Sequence, residues 1–109
     1  MVTEKAQSSV VPLARWLHER FGEDLVEVIL FGSSARGEAD VDSDIDLLLL
    51  FKRQLTADER REISEYRYDL DLENGTVTQL VIETDDVWHD PLHQATLFWE
   101  EVQREGIKL

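Results

Sequence analysis

The pattern of apolar positions near the start of the chain predicts a helix. Ser8-Ser9 and Pro12 are typical of a helix start, and Gly22 is typical of a helix end. Apolar residues recur between them at helical spacing: Val10, Leu13, Ala14, Leu17 and Phe21. We therefore expect an amphipathic helix that begins near Ser8-Ser9 and ends at Gly22.

Two apolar runs follow this helix. Residues 26–31 read as a strand, and residues 45–51 are a mostly apolar run, typical of a strand that is buried on both faces. The residues between them, 32–43, are small, turn-forming or charged, which predicts a loop with at most one helical turn.

The second half of the chain adds a helix, a strand and a last helix. Thr56 and Glu59 have the spacing of a capping box, so a helix opens there, and Asn74-Gly75 ends it. Residues 76–82 predict a third strand. After a short turn at 86–88, Pro91 is expected to start a helix that Gly106 ends. Its expected inward positions are Leu92, Ala95, Phe98 and Val102.

This order of elements predicts an α/β (α+β) fold. We expect a small mixed sheet of three or four strands flanked by helices, in a single domain over residues 1–109. The longest apolar run, 47–51, is far shorter than the roughly 20 residues of a membrane span, and the first residues lack the layout of a signal peptide. No membrane association is therefore expected.

The composition of the chain excludes several kinds of site and of binding partner. The chain has no cysteine, which excludes disulfides, thiolate zinc sites and cysteine nucleophiles, and which is compatible with a cytoplasmic location. The formal net charge is −13. Such a charge repels phosphate backbones, so direct nucleic-acid binding is not expected. It is typical of a solvated acidic surface, and both a basic partner protein and a salt-adapted host are compatible with it.

The residues best suited to chemistry lie in 31–47. Gly32 lets the backbone approach a ligand closely, and the amides that follow Ser33 could bind phosphate oxygens. Arg36 could pair with a phosphate or with a neighbouring carboxylate. Asp44 and Asp46 are two positions apart on a strand and should share one face. Two convergent carboxylates beside a phosphate cradle suit Mg²⁺.

The segment Gly-Ser-Ser-Ala-Arg-Gly, followed after six residues by Ser-Asp-Ile-Asp-Leu, resembles the signature of the polymerase-beta-type nucleotidyltransferase superfamily, in particular its minimal branch. The resemblance implies a nucleotidyltransferase fold, ATP as substrate and two Mg²⁺ ions. It implies metal-binding and catalytic roles for Asp44 and Asp46, a catalytic role for Ser33, and nucleotide binding at four positions: Gly32, Ser33, Arg36 and Ser43.

The same resemblance implies a third carboxylate near the centre of the following strand. The middle of that strand offers Thr78 and Gln79, neither of which is an acid, and Glu83 lies at its end. The third carboxylate is therefore displaced or absent. The lack of this carboxylate weakens the expectation of catalysis more than the expectation of nucleotide or metal binding.

The resemblance also suggests a partner. Minimal members of the family work beside an all-helical protein of the HEPN type, and some are antitoxins that transfer AMP to a tyrosine of that toxin. One alternative is a weak or inactive relative that neutralises a helical partner by binding. A second alternative is transfer to a small-molecule hydroxyl. Homo- or hetero-oligomers are both compatible with these functions.

Histidine and aromatic residues allow other interpretations. His89 and His93 could ligate a metal, but Pro91 lies between them, which favours a structural role. For Trp16, Trp88 and Trp99, packing in the core or against a partner is favoured over nucleobase stacking. Trp88, with Phe98 and Trp99, could instead form an exposed apolar patch, which would make the last helix part of an association surface.

Overall fold

The computed structural model describes residues 4–32 and 44–109. The helices are α1 (Glu4–Phe21), α2 (Ala57–Asn74), α3 (Asp85–Trp88), α4 (Pro91–Gln94) and α5 (Leu97–Glu105). The strands are β1 (Leu25–Phe31), β2 (Asp44–Phe51), β3 (Val77–Thr84) and β4 (Ile107–Lys108), and a 3₁₀ turn (Gly22–Asp24) joins α1 to β1. None of the described helices combines the length and apolar character needed to cross a lipid bilayer.

Within the described residues the strands form one mixed sheet in the order β3-β2-β1-β4. β2 is central: it pairs antiparallel with β1 and parallel with β3, and α2 makes the crossover between the parallel strands. The predicted mixed sheet flanked by helices is confirmed. The strand β4, which pairs with β1, has only two residues and carries no pattern that a sequence reading could detect.

The sheet separates two apolar clusters. On one face, α1 and α2 cover a cluster centred on Leu47, Leu49 and Phe51. On the other face, Leu48 and Leu50 pack with residues of α3 and α5. The continuous apolar run of β2 therefore serves both clusters, as expected for a strand that is buried on both sides.

Helix α1 begins earlier than the sequence indicated. The expectation of a start at Ser8-Ser9 was wrong, because α1 already begins at Glu4 and contains Pro12 in its interior. Pro12 has no N–H to donate to the carbonyl of Ser8, four residues earlier. Asn74 at the end of α2 donates its side-chain amide to that carbonyl at 3.2 Å. A residue 66 positions away thus satisfies the acceptor that Pro12 leaves.

Helix α2 begins and ends where its local signals predicted. The hydroxyl of Thr56 accepts from the amide of Glu59 at 3.1 Å, and the Glu59 carboxylate accepts from the amide of Thr56 at 2.9 Å. Gly75 ends the helix with φ +66°, in the left-handed region. Both ends are thus determined by residues within one turn.

The last predicted helix is two helices. Thr96 interrupts it: its hydroxyl accepts from the amide of Trp99 and donates to the carbonyl of His93, so it caps a new helix, α5. Leu92 and Ala95 are exposed instead of facing inward, which corrects the expectation for them. Val102 is buried as expected. The local hydrogen bonds of Thr96 thus redirect the chain.

The alternative in which Trp88, Phe98 and Trp99 form an exposed apolar patch is contradicted by the structure. Trp88 is fully buried, and its ring packs edge-on against Phe98, with the ring centroids 5.8 Å apart. Phe98 and Trp99 are half-buried in the same cluster as Leu48 and Leu50. These aromatic residues therefore close the second face of the sheet and do not form a free surface.

Candidate functional site

The site is built where β1 ends against β2. Gly32, directly after β1, has φ +77°, a conformation that side chains rarely adopt. A Cβ added at Gly32 would lie 2.5 Å from Oδ2 of Asp46. The carboxylate of Asp46 therefore rests against the α-carbon of Gly32, and any other residue at position 32 would displace it.

The sheet register places Asp46 between two neighbours. Asp46 is paired with Phe31 of β1 on one side and with Gln79 of β3 on the other. Asp44 is the partner of Val77 at the start of β3. The site therefore lies at the end of the sheet where β1 finishes and where the parallel strands β2 and β3 begin.

Gln79 occupies the position on β3 that lies alongside Asp46. It is exposed and uncharged. Glu83, which the sequence offered as a displaced third carboxylate, is the partner of Leu50, four positions further along the strand. At roughly 3.3 Å per residue, Glu83 is more than 10 Å from the level of Asp46. An amide thus stands where the family resemblance implies an acid.

Several expected site residues lie outside the described part of the chain. These are Ser33, Arg36 and Ser43, together with the side chain of Asp44. The structure therefore brings together Gly32, Asp46 and Gln79.

An apolar floor supports Asp46. Leu48 follows it on the same face of β2 and is buried, and Phe31 is buried beside it with its ring 5.3 Å from that of Phe98. Asp46 itself is half-buried. Charges at the edge of such an apolar region interact more strongly than charges in open water. The sequence analysis did not predict that Phe31 packs beside Asp46, although the position of Phe31 directly before Gly32 indicated that it lies near the site.

Two carboxylates near the starts of helices α2 and α3 have lowered pKa values. The Arg53 guanidinium, which donates two hydrogen bonds to Glu59, lowers the pKa of that carboxyl to about 2, with help from the amide of Thr56. The hydroxyl of Thr84 likewise lowers the pKa of Asp86. These groups stabilise the ends of helices α2 and α3.

The histidines and tryptophans take part in packing and in local contacts. His89 lies 3.1 Å from Asp85, and the ring of His93 packs against Trp88 at 5.1 Å. Trp16 stacks on Tyr66, with the ring centroids 4.4 Å apart, which confirms the packing interpretation for this residue. Across residues 4–32 and 44–109, no group of three or more histidine, aspartate or glutamate side chains is arranged to hold a metal.

Comparison with known proteins connects this geometry to a family. Residues 13–104 match the family described as nucleotidyltransferase domain. A protein of Methanocaldococcus jannaschii named as a candidate protein adenylyltransferase is 31% identical over 87 residues, which cover 80% of this chain and 81% of that protein. A second protein of that organism with the same description is 56% identical over 34 residues, 31% of this chain. The match spans 23% of that second protein's length.

Solved structures agree with this assignment. A candidate minimal nucleotidyltransferase superposes with a TM-score of 0.64 at 28% identity, over 100% of this chain and 97% of that chain. A chain in the complex of tri-AMPylated Shewanella oneidensis HEPN toxin with MNT antitoxin shares the fold, with a TM-score of 0.55 at 20% identity, over 94% of this chain and 70% of that chain. Because the family match covers most of the sequence, this protein belongs to the nucleotidyltransferase domain family, as the motif from Gly32 to Leu47 predicted.

Proposed function

We propose that this protein transfers AMP from Mg-ATP to a hydroxyl group, and that the acceptor is a tyrosine of a HEPN-type helical toxin. The protein would then be the antitoxin of the pair. The observation that carries this proposal is the contact between the Asp46 carboxylate and the α-carbon of Gly32. It brings an acidic group to the backbone turn where the nucleotidyltransferase motif begins.

The residues of this chain fit a magnesium site. Asp46 is an oxygen donor at the open end of the sheet, and Asp44 lies two positions before it on the same strand. Strand alternation assigns positions 44 and 46 to one face. We assign both residues to two Mg²⁺ ions, which when bound would neutralise the charge of the triphosphate and activate the attacking hydroxyl.

The remaining motif residues would hold the nucleotide. Gly32 lets the backbone approach the phosphates, and we assign Ser33, Arg36 and Ser43 to the phosphate oxygens and to catalytic positioning. The acceptor oxygen attacks the α-phosphorus, a new P–O bond forms, and the bond to the β-phosphate oxygen breaks. Pyrophosphate leaves, and the hydroxyl proton passes to solvent, since Gln79 offers no carboxylate to accept it.

The choice of a protein acceptor rests on relatives and on charge. The M. jannaschii relative that matches over most of its length is named as a candidate protein adenylyltransferase. One chain of the S. oneidensis complex shares the fold of this protein, and the HEPN toxin in that complex is tri-AMPylated. The net charge of −13 favours a basic protein over a nucleic acid as acceptor.

The test is a transfer assay with matched variants. The protein is incubated with Mg²⁺, with ATP labelled on the α-phosphate, and with the purified HEPN-type helical protein proposed as its acceptor. We expect label on that protein, and a loss of about 100-fold or more with Asp46→Asn, since metal-assisted stabilisation is worth several kcal/mol. Glu27→Gln, on β1 beside Lys108, is the matched carboxylate-to-amide control and should transfer normally. Equal rates for both variants would refute the assignment.

Gln79 favours a second candidate function. Without a third carboxylate alongside Asp46, the protein could act as a neutralising module that binds its helical partner and transfers nucleotide slowly or not at all. The variant Gln79→Asp distinguishes the two functions. If wild-type protein binds the partner without labelling it and the variant gains transfer, the binding module is correct. If wild-type protein already transfers efficiently and the variant adds nothing, this second candidate is refuted.

A further inference from the structure

A shallow depression lies between the end of α2 and the start of β3. Three of its lining residues are apolar or aromatic and strongly exposed: Tyr68 by 55%, Leu72 by 67% and Val77 by 51%. Arg67, Asp71 and Thr76 complete the lining around a volume of about 230 Å³. Exposed apolar groups that border one concave surface are typical of a binding site.

The polar side chains beneath this depression are internally paired. Asp71 accepts from the hydroxyls of Thr76 at 2.6 Å and Thr78 at 2.7 Å, and from the amide of Thr78 at 2.9 Å. Arg67 donates to Asp71 and to the carbonyl of Thr78, both at 3.3 Å. The floor is therefore fixed, so a partner that covers it does not have to replace unsatisfied groups.

A row of carboxylates runs beside the apolar residues. Glu65, Asp69 and Glu73 are four positions apart on α2, so they form one stripe, adjacent to the stripe of Tyr68 and Leu72. All three are exposed, and none forms an ion pair within the part of the chain that the structure describes. This stripe favours a positively charged partner and repels a second copy of this acidic chain.

The depression adjoins the candidate functional site. Val77, which lines it, is the sheet partner of Asp44, and Gln79, two residues later, is the partner of Asp46. A protein bound to this surface would therefore lie at the end of the sheet where the nucleotidyltransferase motif begins. The depression is level with Asp44 and Asp46 along the sheet, at the β3 edge, whereas α2 and Asp46 lie on opposite faces of the sheet. An acceptor that binds there would reach Asp46 around the β3 edge.

We propose that this depression is the docking surface for the acceptor protein, which inserts an apolar side chain among Tyr68, Leu72 and Val77 and places basic residues along the carboxylate stripe. The proposal rests on the proposed function in that the docked protein is taken to be the one that receives the nucleotide. Docking through this surface lowers the acceptor KM and leaves the affinity for Mg-ATP unaffected.

The experiment compares Leu72→Glu with Leu97→Glu. Leu97 is 83% exposed on α5, on the opposite face of the sheet, so it controls for the added charge on a solvent-exposed leucine. The probe is the purified HEPN-type helical protein that is proposed above as the acceptor. The Kd of the complex between this protein and the helical protein is measured by titration calorimetry at low and high salt. The KM for the helical protein is measured in the labelled-ATP assay. The affinity of each variant for Mg-ATP is measured in a separate binding titration. Thermal melting confirms that both variants fold.

We expect Leu72→Glu to raise the Kd and KM for the helical protein at least tenfold, with Mg-ATP affinity unchanged. Leu97→Glu should match wild type, and wild-type affinity should fall at high salt. Unchanged Kd and KM in Leu72→Glu would overturn the docking surface while leaving nucleotide transfer intact. Binding that depends on Leu72 without any transfer would overturn the proposed function but support the docking surface. Sedimentation showing self-association that Leu72→Glu abolishes would assign the surface to a second copy and overturn the proposal.

Discussion

Replacing Gly32 by alanine tests whether the proposed activity depends on the close contact between Gly32 and the Asp46 carboxylate. The new methyl group would lie 2.5 Å from Oδ2 of Asp46, whereas an ordinary contact between such atoms is about 3.4 Å or more. Either the carboxylate or the backbone at position 32 must therefore move by close to 1 Å. The substitution adds no charge and removes no hydrogen-bonding group, so its effects report geometry alone.

The expected effects on stability and activity differ in size. An alanine at φ +77° costs about 1 to 2 kcal/mol of folding free energy, which lowers the Tm of a domain of this size by roughly 4 to 8 °C. A displacement of about 1 Å at a reacting group can lower the rate about 100-fold. We therefore expect Gly32→Ala to lower the Tm by roughly 4 to 8 °C and to lower kcat/KM for nucleotide transfer by about two orders of magnitude.

Gly22→Ala provides the control for backbone strain. Gly22 also has a positive φ, +54°, but an added Cβ there meets no atom within 4 Å. The control should lose a similar amount of thermal stability and keep its transfer rate. Melting curves and initial rates with α-labelled ATP measure both quantities. If Gly32→Ala transferred as fast as Gly22→Ala, Asp46 would not need its place against Gly32, and the proposed site would be wrong.

Three further predictions concern the fold that supports the site. Asp71→Ala should lower the free energy of unfolding in urea by about 3 kcal/mol or more, because it leaves the buried amide and hydroxyl of Thr78 without an acceptor. Acid titration of stability should show a contribution from Glu59, whose pKa the Arg53 guanidinium lowers from 4.5 to about 2. This contribution is fully present above pH 4.5 and is lost as the pH falls towards 2, and Glu59→Gln should remove it. Gly106→Ala should destabilise by about 1 to 3 kcal/mol, because its methyl group would lie 2.5 Å from a carbonyl of α5.

Each of these predictions has a contrary outcome. An Asp71→Ala variant as stable as wild type would mean that water or a rearranged side chain satisfies Thr78. Identical acid unfolding of wild type and Glu59→Gln would mean that the ion pair with Arg53 does not survive in solution. A Gly106→Ala variant with unchanged stability would mean that the short strand β4 is not held against β1.

Local signals were sufficient for much of the fold. The capping box of Thr56 and Glu59 acts within one turn, and Gly75 ends α2 through its own φ. The apolar run of β2 marks a strand buried on both faces without reference to its neighbours. The motif that begins at Gly32 was sufficient to identify the family, which the match over residues 13–104 confirms.

Contacts between residues that are distant in sequence determine the features of the fold that local signals do not predict. Pro12 lies inside α1 because Asn74 supplies a donor from another helix, and Trp88 is buried because α5 covers it. Gln79 lies beside Asp46 because of the register between two strands that a long crossover separates. Periodicity and capping are short-range effects that a sequence displays directly, whereas register and packing depend on how the elements assemble. The sequence by itself therefore determined the elements and the family, and the tertiary structure alone decided which side chain stands next to the candidate catalytic carboxylate.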